Sequence, residues 1–206
     1  MIYFLTYPIV FIFFRLLARL LGRVQTQGVA NVPLTGGFLY CPNHLSDADP
    51  ATVFVTIPRR AWFIGKSELY DIPLVGWFFH HFHSLPIKRD SADRAALRRI
   101  ETLLKCGDPV LIFPEGRCAQ DGILGRIQPG AALLSLRANV PIVPVGLRHT
   151  NQLLPYGTLM PRFTKDRVTV AFGTPIHPSE FAPLGRSAAI AAITEKLRDE
   201  LIRLTA

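Results

Sequence analysis

Gly37-Phe38-Leu39-Tyr40-Cys41-Pro42-Asn43-His44-Leu45-Ser46-Asp47-Ala48-Asp49-Pro50 is the stretch on which the reading of the fold turns. Gly37 to Cys41 is a short apolar run that opens after Gly36 and closes at Pro42, the pattern of a buried strand. Asp49-Pro50 has the form of an N-cap followed by proline at the first helical position, with a helix running toward Pro58. The loop Asn43 to Asp49 therefore places polar side chains where a strand gives way to a helix.

The same alternation continues along the chain. Ala61 to Gly65 reads as a second strand, Leu74 to Phe82 as a short helix, and Leu85 to Lys88 as a short strand. Asp90 or Ser91 can cap a helix that carries Ala96, Ile100, Leu103 and Leu104 on one side, and Gly107 is placed to stop it. Pro109 to Phe113 is a strand; Pro129 opens a helix through about Asn139 that leads into the strand Val140 to Val145. Val168 to Phe172 supplies another strand. Ser187 to Leu204 is a final helix burying Ile190, Ile193, Leu197, Leu201 and Leu204. The expected fold is α/β, one domain with a mixed, mostly parallel sheet flanked by helices and functional groups in loops beyond strand ends.

Met1 to Phe14 is almost wholly apolar but is interrupted by Pro8 and followed by Arg15, so it is shorter than the ~20 residues of a spanning helix. Its arginines follow the apolar run instead of preceding it, which is not the order of a secretory signal. Arg15, Arg19 and Arg23 recur every fourth residue, while Leu16, Leu17, Leu20 and Leu21 fill another face. That is the pattern of an interfacial helix; a helix packed on the protein's own core is the competing reading. Residues 1–27 are accordingly expected to form a membrane-associating helical segment and residues 28–206 a single domain.

Composition agrees with a membrane-facing role. Of 206 residues, 18% are charged, below the roughly 25% of soluble domains, and 49% are apolar. The formal charge of +8, from 23 Lys and Arg against 15 Asp and Glu, suits an anionic partner. Nucleic acid is not expected, since no helix-turn-helix, RRM or zinc pattern accompanies the charge. Cys41, Cys106 and Cys118 are odd in number and lack C-x-x-C spacing, so they read as small buried apolar residues in a reducing cytosol. His80, His81 and His83 lie among Trp77, Phe78, Phe79 and Phe82 without carboxylate spacing, which reads as an interfacial aromatic belt; no metal site is expected.

His44 and Asp49 form a His-x4-Asp pattern in a loop. A carboxylate that accepts a hydrogen bond from one ring nitrogen fixes the imidazole tautomer, and the other nitrogen can then take a proton from a substrate hydroxyl. A helix cap is the plainer reading of Asp49. The block Phe113-Pro114-Glu115-Gly116-Arg117 leaves a strand through a glycine turn, and its arginine can bind a phosphate by paired donors.

Together these blocks resemble the glycerolipid acyltransferase family, the bacterial 1-acyl-glycerol-3-phosphate acyltransferases and their relatives, over about Gly28 to Pro178. Asn43-His44-x4-Asp49 is similar to the family's first motif, Leu85-Pro86-Ile87-Lys88-Arg89 to its second, Phe113 to Arg117 to its third, and Val140-Pro141-Ile142-Val143-Pro144 to its fourth. The third motif departs from the usual Phe-Pro-Glu-Gly-Thr-Arg-Ser: the threonine is missing, Arg117 comes one step early, and Cys118 stands where serine is usual. In the second, Ser84 stands where a glycine is usual.

The resemblance implies a glycerol-3-phosphate acyltransferase-like fold and direct transfer from acyl-CoA or acyl-carrier protein to a lysolipid hydroxyl, with lysophosphatidic acid giving phosphatidic acid. It implies His44 and Asp49 as the catalytic pair, and Asn43, Lys66, Arg89, Glu115, Gly116 and Arg117 as acceptor-binding residues, with no cofactor. Lys66 belongs to Gly65-Lys66-Ser67-Glu68-Leu69, a block also similar to the family. Glu115 either orients Arg117 or supports its loop. No Gly-x-Ser-x-Gly elbow is present, so no acyl-enzyme is expected. The motifs do not separate lysophosphatidic acid from lyso-ornithine lipid, glycerol 3-phosphate or larger lysophospholipids, and a noncatalytic lipid-binding protein is the rival of another class. The expected location is the cytoplasmic face of the cell membrane.

Overall fold

A computed structural model of the chain describes all residues except 1, 73–75, 78, 80–82, 88–93, 120–121, 156 and 159, and no side chains in 2–7. The elements are α1 (Ile2–Gly22), β1 (Gln25–Gln27), β2 (Leu39–Pro42), α2 (Asp49–Thr56), β3 (Trp62–Lys66), β4 (Ser84–Ile87), α3 (Arg94–Lys105), β5 (Val110–Leu111), α4 (Gly130–Ala138), β6 (Ile142–Arg148), α5 (Thr150–Leu153), β7 (Thr169–Phe172) and α6 (Arg186–Thr205). The strands make one 7-stranded sheet in the order β1-β7-β6-β2-β5-β3-β4. Among these strands only the β6–β7 pairing is antiparallel.

Side-chain alternation splits the core into two layers. Phe38 and Tyr40 face α1 and α2, packing with Phe54, Val53, Val145 and Phe172. Leu39 and Cys41 face the opposite way, onto Ile100 of α3, Ala131 of α4 and Ile193 and Leu197 of α6. Strands buried on both faces need near-continuous apolar runs, which is why the Phe38–Cys41 and Ile142–Val145 stretches were legible.

Several elements differ from expectation. β1 is polar and joins the sheet only by pairing with Thr169–Ala171 of β7, so the sheet begins inside the segment assigned to the N-terminal piece. β5 holds only Val110 and Leu111, shorter than the expected Pro109 to Phe113, although Ile112 N–H still donates to Tyr40 O at 3.0 Å. β6 continues to Arg148, beyond the expected Val145. Most of the helix expected over 74–82, and the caps Asp90 and Ser91, lie outside the described residues.

Pro8 lies inside α1 and does not end it, contrary to the expected interruption. Phe11 meets Phe54 of α2 edge-on at 5.7 Å, and Ala18 is buried against the same layer. The opposite side carries Ile9, Ile12, Phe13, Leu16 and Leu20, all more than half exposed, on one ridge of the helix. Leu17 and Leu21 turn toward the protein and are half-buried, so the four leucines do not share one face. Arg23 is past the helix end, at φ 46°, and donates to the carbonyls of Thr164 and Lys165. The basic stripe is therefore Arg15 and Arg19 alone.

Candidate active site

The chain leaving β2 crosses by α2 to β3, on the far side of β5; the chain leaving β5 crosses by α4 to β6, on the far side of β2. The two connections depart in opposite directions from neighbouring strands, and the crevice beyond the carboxyl ends of such strands is where open α/β sheets bind ligands. His44 follows the end of β2, and Glu115 and Arg117 follow the end of β5. The topology thus joins two motifs that are far apart in sequence.

His44 Nδ1 lies 2.9 Å from Asp49 Oδ2. The same oxygen accepts the backbone N–H groups of Leu45 at 2.6 Å and Ser46 at 2.8 Å. Asp49 is fully buried, and its Oδ1 has no hydrogen-bond partner among the described residues. Asp49 is not an N-cap: it is the first residue of α2, and its carboxylate turns back onto the preceding loop while Ala48 takes the cap position without a side-chain bond. With two backbone N–H groups already on that oxygen, His44 Nδ1 is the third donor, so Nδ1 carries the proton and Nε2 is left as the base. The His44 side chain is 12% exposed and stacks on Phe113, ring centroids 4.0 Å apart.

Glu115 resolves as a brace. One of its oxygens accepts the His44 backbone N–H at 2.7 Å and the other accepts Gly125 N–H at 2.7 Å. The His44 carbonyl accepts Ala119 N–H at 2.8 Å, so the third motif and the residues just after it hold the histidine backbone from both sides. Burial pushes the Glu115 carboxyl above the ordinary carboxylate range, opposed by the two backbone donors. A β-carbon on Gly125 would stand 2.9 Å from Glu115 Oε2, so a side chain there would push that carboxylate oxygen aside.

The remaining expected residues separate into three groups. Asn43 turns both polar atoms of its side chain onto Leu147: its amide oxygen accepts Leu147 N–H at 2.6 Å, its amide nitrogen donates to Leu147 O at 3.1 Å, and it is 1% exposed. It locks the loop to β6. Gly116 has φ +74° and makes the turn that, even without the threonine, leaves Arg117 on the rim. Arg117 is exposed, pairs with no described residue and lines a cleft of about 700 Å³ with Glu115, Cys118, Gly125, Arg126 and Gln128. Lys66 ends β3 on the same edge of the sheet but pairs with Glu68 at 3.1 Å. Arg89 lies outside the described residues.

Neither nearby cysteine is set up as a nucleophile. Cys41 is fully buried in β2, which drives its thiol far above its ordinary pKa. Cys118 is pushed up to about 12, first by burial and then by the carboxylates of Asp49, Asp47 and Glu115. Cys106 is exposed, contrary to the expectation that all three are buried. The sequence reading missed Arg126, which stands outside every motif, and the stacking partner Phe113, whose strand position hid its contact with His44.

The fold and this site define a class. A family model described as Acyltransferase matches residues 23–148, and the chain belongs to that family. It is 28% identical over 192 residues to a 1-acyl-sn-glycerol-3-phosphate acyltransferase of Bacillus subtilis, covering 92% of each chain. It is 31% identical over 161 residues to the chloroplastic 1-acyl-sn-glycerol-3-phosphate acyltransferase LPAT1 of Arabidopsis thaliana, covering 77% of this chain and 45% of that one. The chain spans less than half the length of the chloroplastic relatives it matches. The crystal structure of the 1-acyl-sn-glycerophosphate acyltransferase PlsC from Thermotoga maritima superposes with a TM-score of 0.66 at 26% identity, covering 85% of this chain and 71% of that one.

Proposed function

We propose that this chain transfers a fatty acyl group from acyl-CoA or acyl-carrier protein to the free hydroxyl of lysophosphatidic acid, giving phosphatidic acid. The observation that carries this reading is the His44–Asp49 pair at 2.9 Å in the loop that leaves β2, with Arg117 in the loop that leaves the neighbouring strand β5. His44 Nε2 removes the hydroxyl proton as the oxygen attacks the thioester carbonyl. The carbon–sulfur bond then breaks, and the departing thiolate takes the proton back from the imidazolium, so no acyl-enzyme forms. Asp49 stabilises the imidazolium formed in between.

Arg117 holds the acceptor's phosphate, with Lys66 and Arg89 as further cations and Gly116 keeping the turn open. The N-terminal helix α1 lies in the membrane interface on the cytoplasmic face, its ridge of Ile9, Ile12, Phe13, Leu16 and Leu20 in the acyl boundary and Arg15 and Arg19 toward anionic headgroups. Among the described residues no helix is long and apolar enough to cross a membrane, which accords with a helix that lies on the surface. Incubating the full chain with labelled acyl donor and a panel of lysolipids tests the reading: phosphatidic acid formed from lysophosphatidic acid supports it, and no product with any acceptor sinks it.

A further inference from the structure

We infer that the cleft between residues 124–129 and α6 seats the phosphate that ends the acyl donor's pantetheine arm, with Arg126 as its anchoring cation. This rests on the acyl-transfer reading and names the part of the molecule that meets the donor. The cleft is about 710 Å³ and is lined by Leu124, Arg126, Ile127, Ile190, Thr194 and Arg198. That volume is within the range of small-molecule sites, and an apolar floor with a few placed polar groups is their usual composition.

Arg126 is the hinge of the argument. It lines this outer cleft and also the inner one that holds Arg117, the two cavities meeting at Leu124, Gly125 and Arg126. Gly125 is bound through Glu115 to the backbone of His44, so the cation stands one residue from the brace of the catalytic loop. Arg126 is exposed and makes no hydrogen bond or ion pair with a described residue. An unpaired guanidinium is suited to paired hydrogen bonds with phosphate oxygens. Glu195 is the one carboxylate lining the cleft, and Arg198 stands 3.8 Å from it, so the cleft keeps a positive balance.

Position separates donor from acceptor. The exposed apolar ridge belongs to α1, which packs with α2 on one face of the sheet; α6 and the cleft lie on the other. A lysolipid held in a bilayer reaches the dyad from the α1 side, whereas a water-soluble thioester reaches it from the α6 side. Arg117, in the inner cleft beside Cys118, is left for the acceptor, and Arg126 for the donor.

Calorimetric titration of the full chain with coenzyme A tests this without turnover. Arg126→Ala is expected to weaken coenzyme A binding about 10-fold or more, the size of one lost charge-assisted contact, and Arg126→Lys to lose less. Pantetheine, which has no phosphate, should bind both forms equally. In steady state, Arg126→Ala should raise the donor KM several-fold more than the acceptor KM, with Arg198→Ala a weaker copy. If the wild type binds no coenzyme A, the acyl-carrier donor's KM decides on the same terms. Unchanged binding and unchanged donor KM in Arg126→Ala, or an equal rise in the acceptor KM, would overturn the inference. A wild-type chain that binds coenzyme A through Arg126 yet acylates nothing would instead sink only the acyl-transfer reading.

Discussion

Asp49→Asn is the substitution that separates chemistry from loop architecture. Asp49 Oδ2 accepts from His44 Nδ1 at 2.9 Å, Leu45 N at 2.6 Å and Ser46 N at 2.8 Å, while Oδ1 has no partner among the described residues. An asparagine can keep its amide oxygen on the three donors with its NH2 in place of Oδ1, so the contacts of the loop are retained and the charge is lost. Hydrogen bonds to a charged group contribute about 1.5–3 kcal/mol and neutral ones about 0.5–1.5, so the two backbone bonds together lose about 2–3 kcal/mol. For a chain of this length that lowers Tm by roughly 4–12 °C, well short of unfolding at assay temperature. The imidazolium also loses its counter-charge, and turnover should fall by about 10²–10⁴, the full range of general-base contributions. Thermal unfolding and initial rates on the same preparation measure both. A variant that shows the Tm loss but keeps turnover within about threefold of wild type would mean that Asp49 only locks the loop, far below the range expected for a base's partner.

Arg117→Ala should raise the KM for a phosphate-bearing lysolipid about 10-fold, a lost charge-assisted contact, with the donor KM as internal control; equal loss toward an acceptor without phosphate would assign it a structural role. Serine at Phe13, Leu16 and Leu20 should weaken flotation with anionic vesicles and leave Tm within a few degrees, because all three are exposed. Unchanged flotation would remove the ridge from the membrane. Cys118, raised to about 12, stays a thiol at pH 8, so iodoacetamide should modify exposed Cys106 well before it. Because its folded pKa is raised, the stability it contributes is complete below the ordinary thiol range and is lost as pH climbs toward 12, so Cys118→Ser should decline less above pH 9 in thermal melts.

What was legible in the sequence followed from burial. Strands covered on both faces had to be apolar throughout, so Phe38–Cys41 and Ile142–Val145 announced themselves, and α3 was marked by Ala96, Ile100 and Leu104 at helical spacing. β1 gave no such signal, since Gln25-Thr26-Gln27 is a strand only because β7 accepts it. In the site, residue types pointed to the loops that the sheet brings side by side but not to directions. Asp49 before Pro50 has the same letters whether its carboxylate caps α2 or turns back to His44. Nothing in the sequence around Asn43 showed that folding would bring Leu147, distant in sequence, against both of its polar atoms. Glu115 could be placed only once Gly125 and His44 were seen on its two oxygens. The face of α1 was misassigned because leucine is equally suited to core and bilayer, and only packing against α2 decides between them.

The transfer mechanism rests on one nitrogen, and its most direct test is the rate of acyl transfer by His44→Ala, measured at saturating donor and acceptor beside a thermal melt. Turnover is expected to fall by about 10²–10⁴ with a cooperative melt retained, since the ring is held by one carboxylate and one aromatic face. Turnover close to wild type in a folded His44→Ala would contradict it.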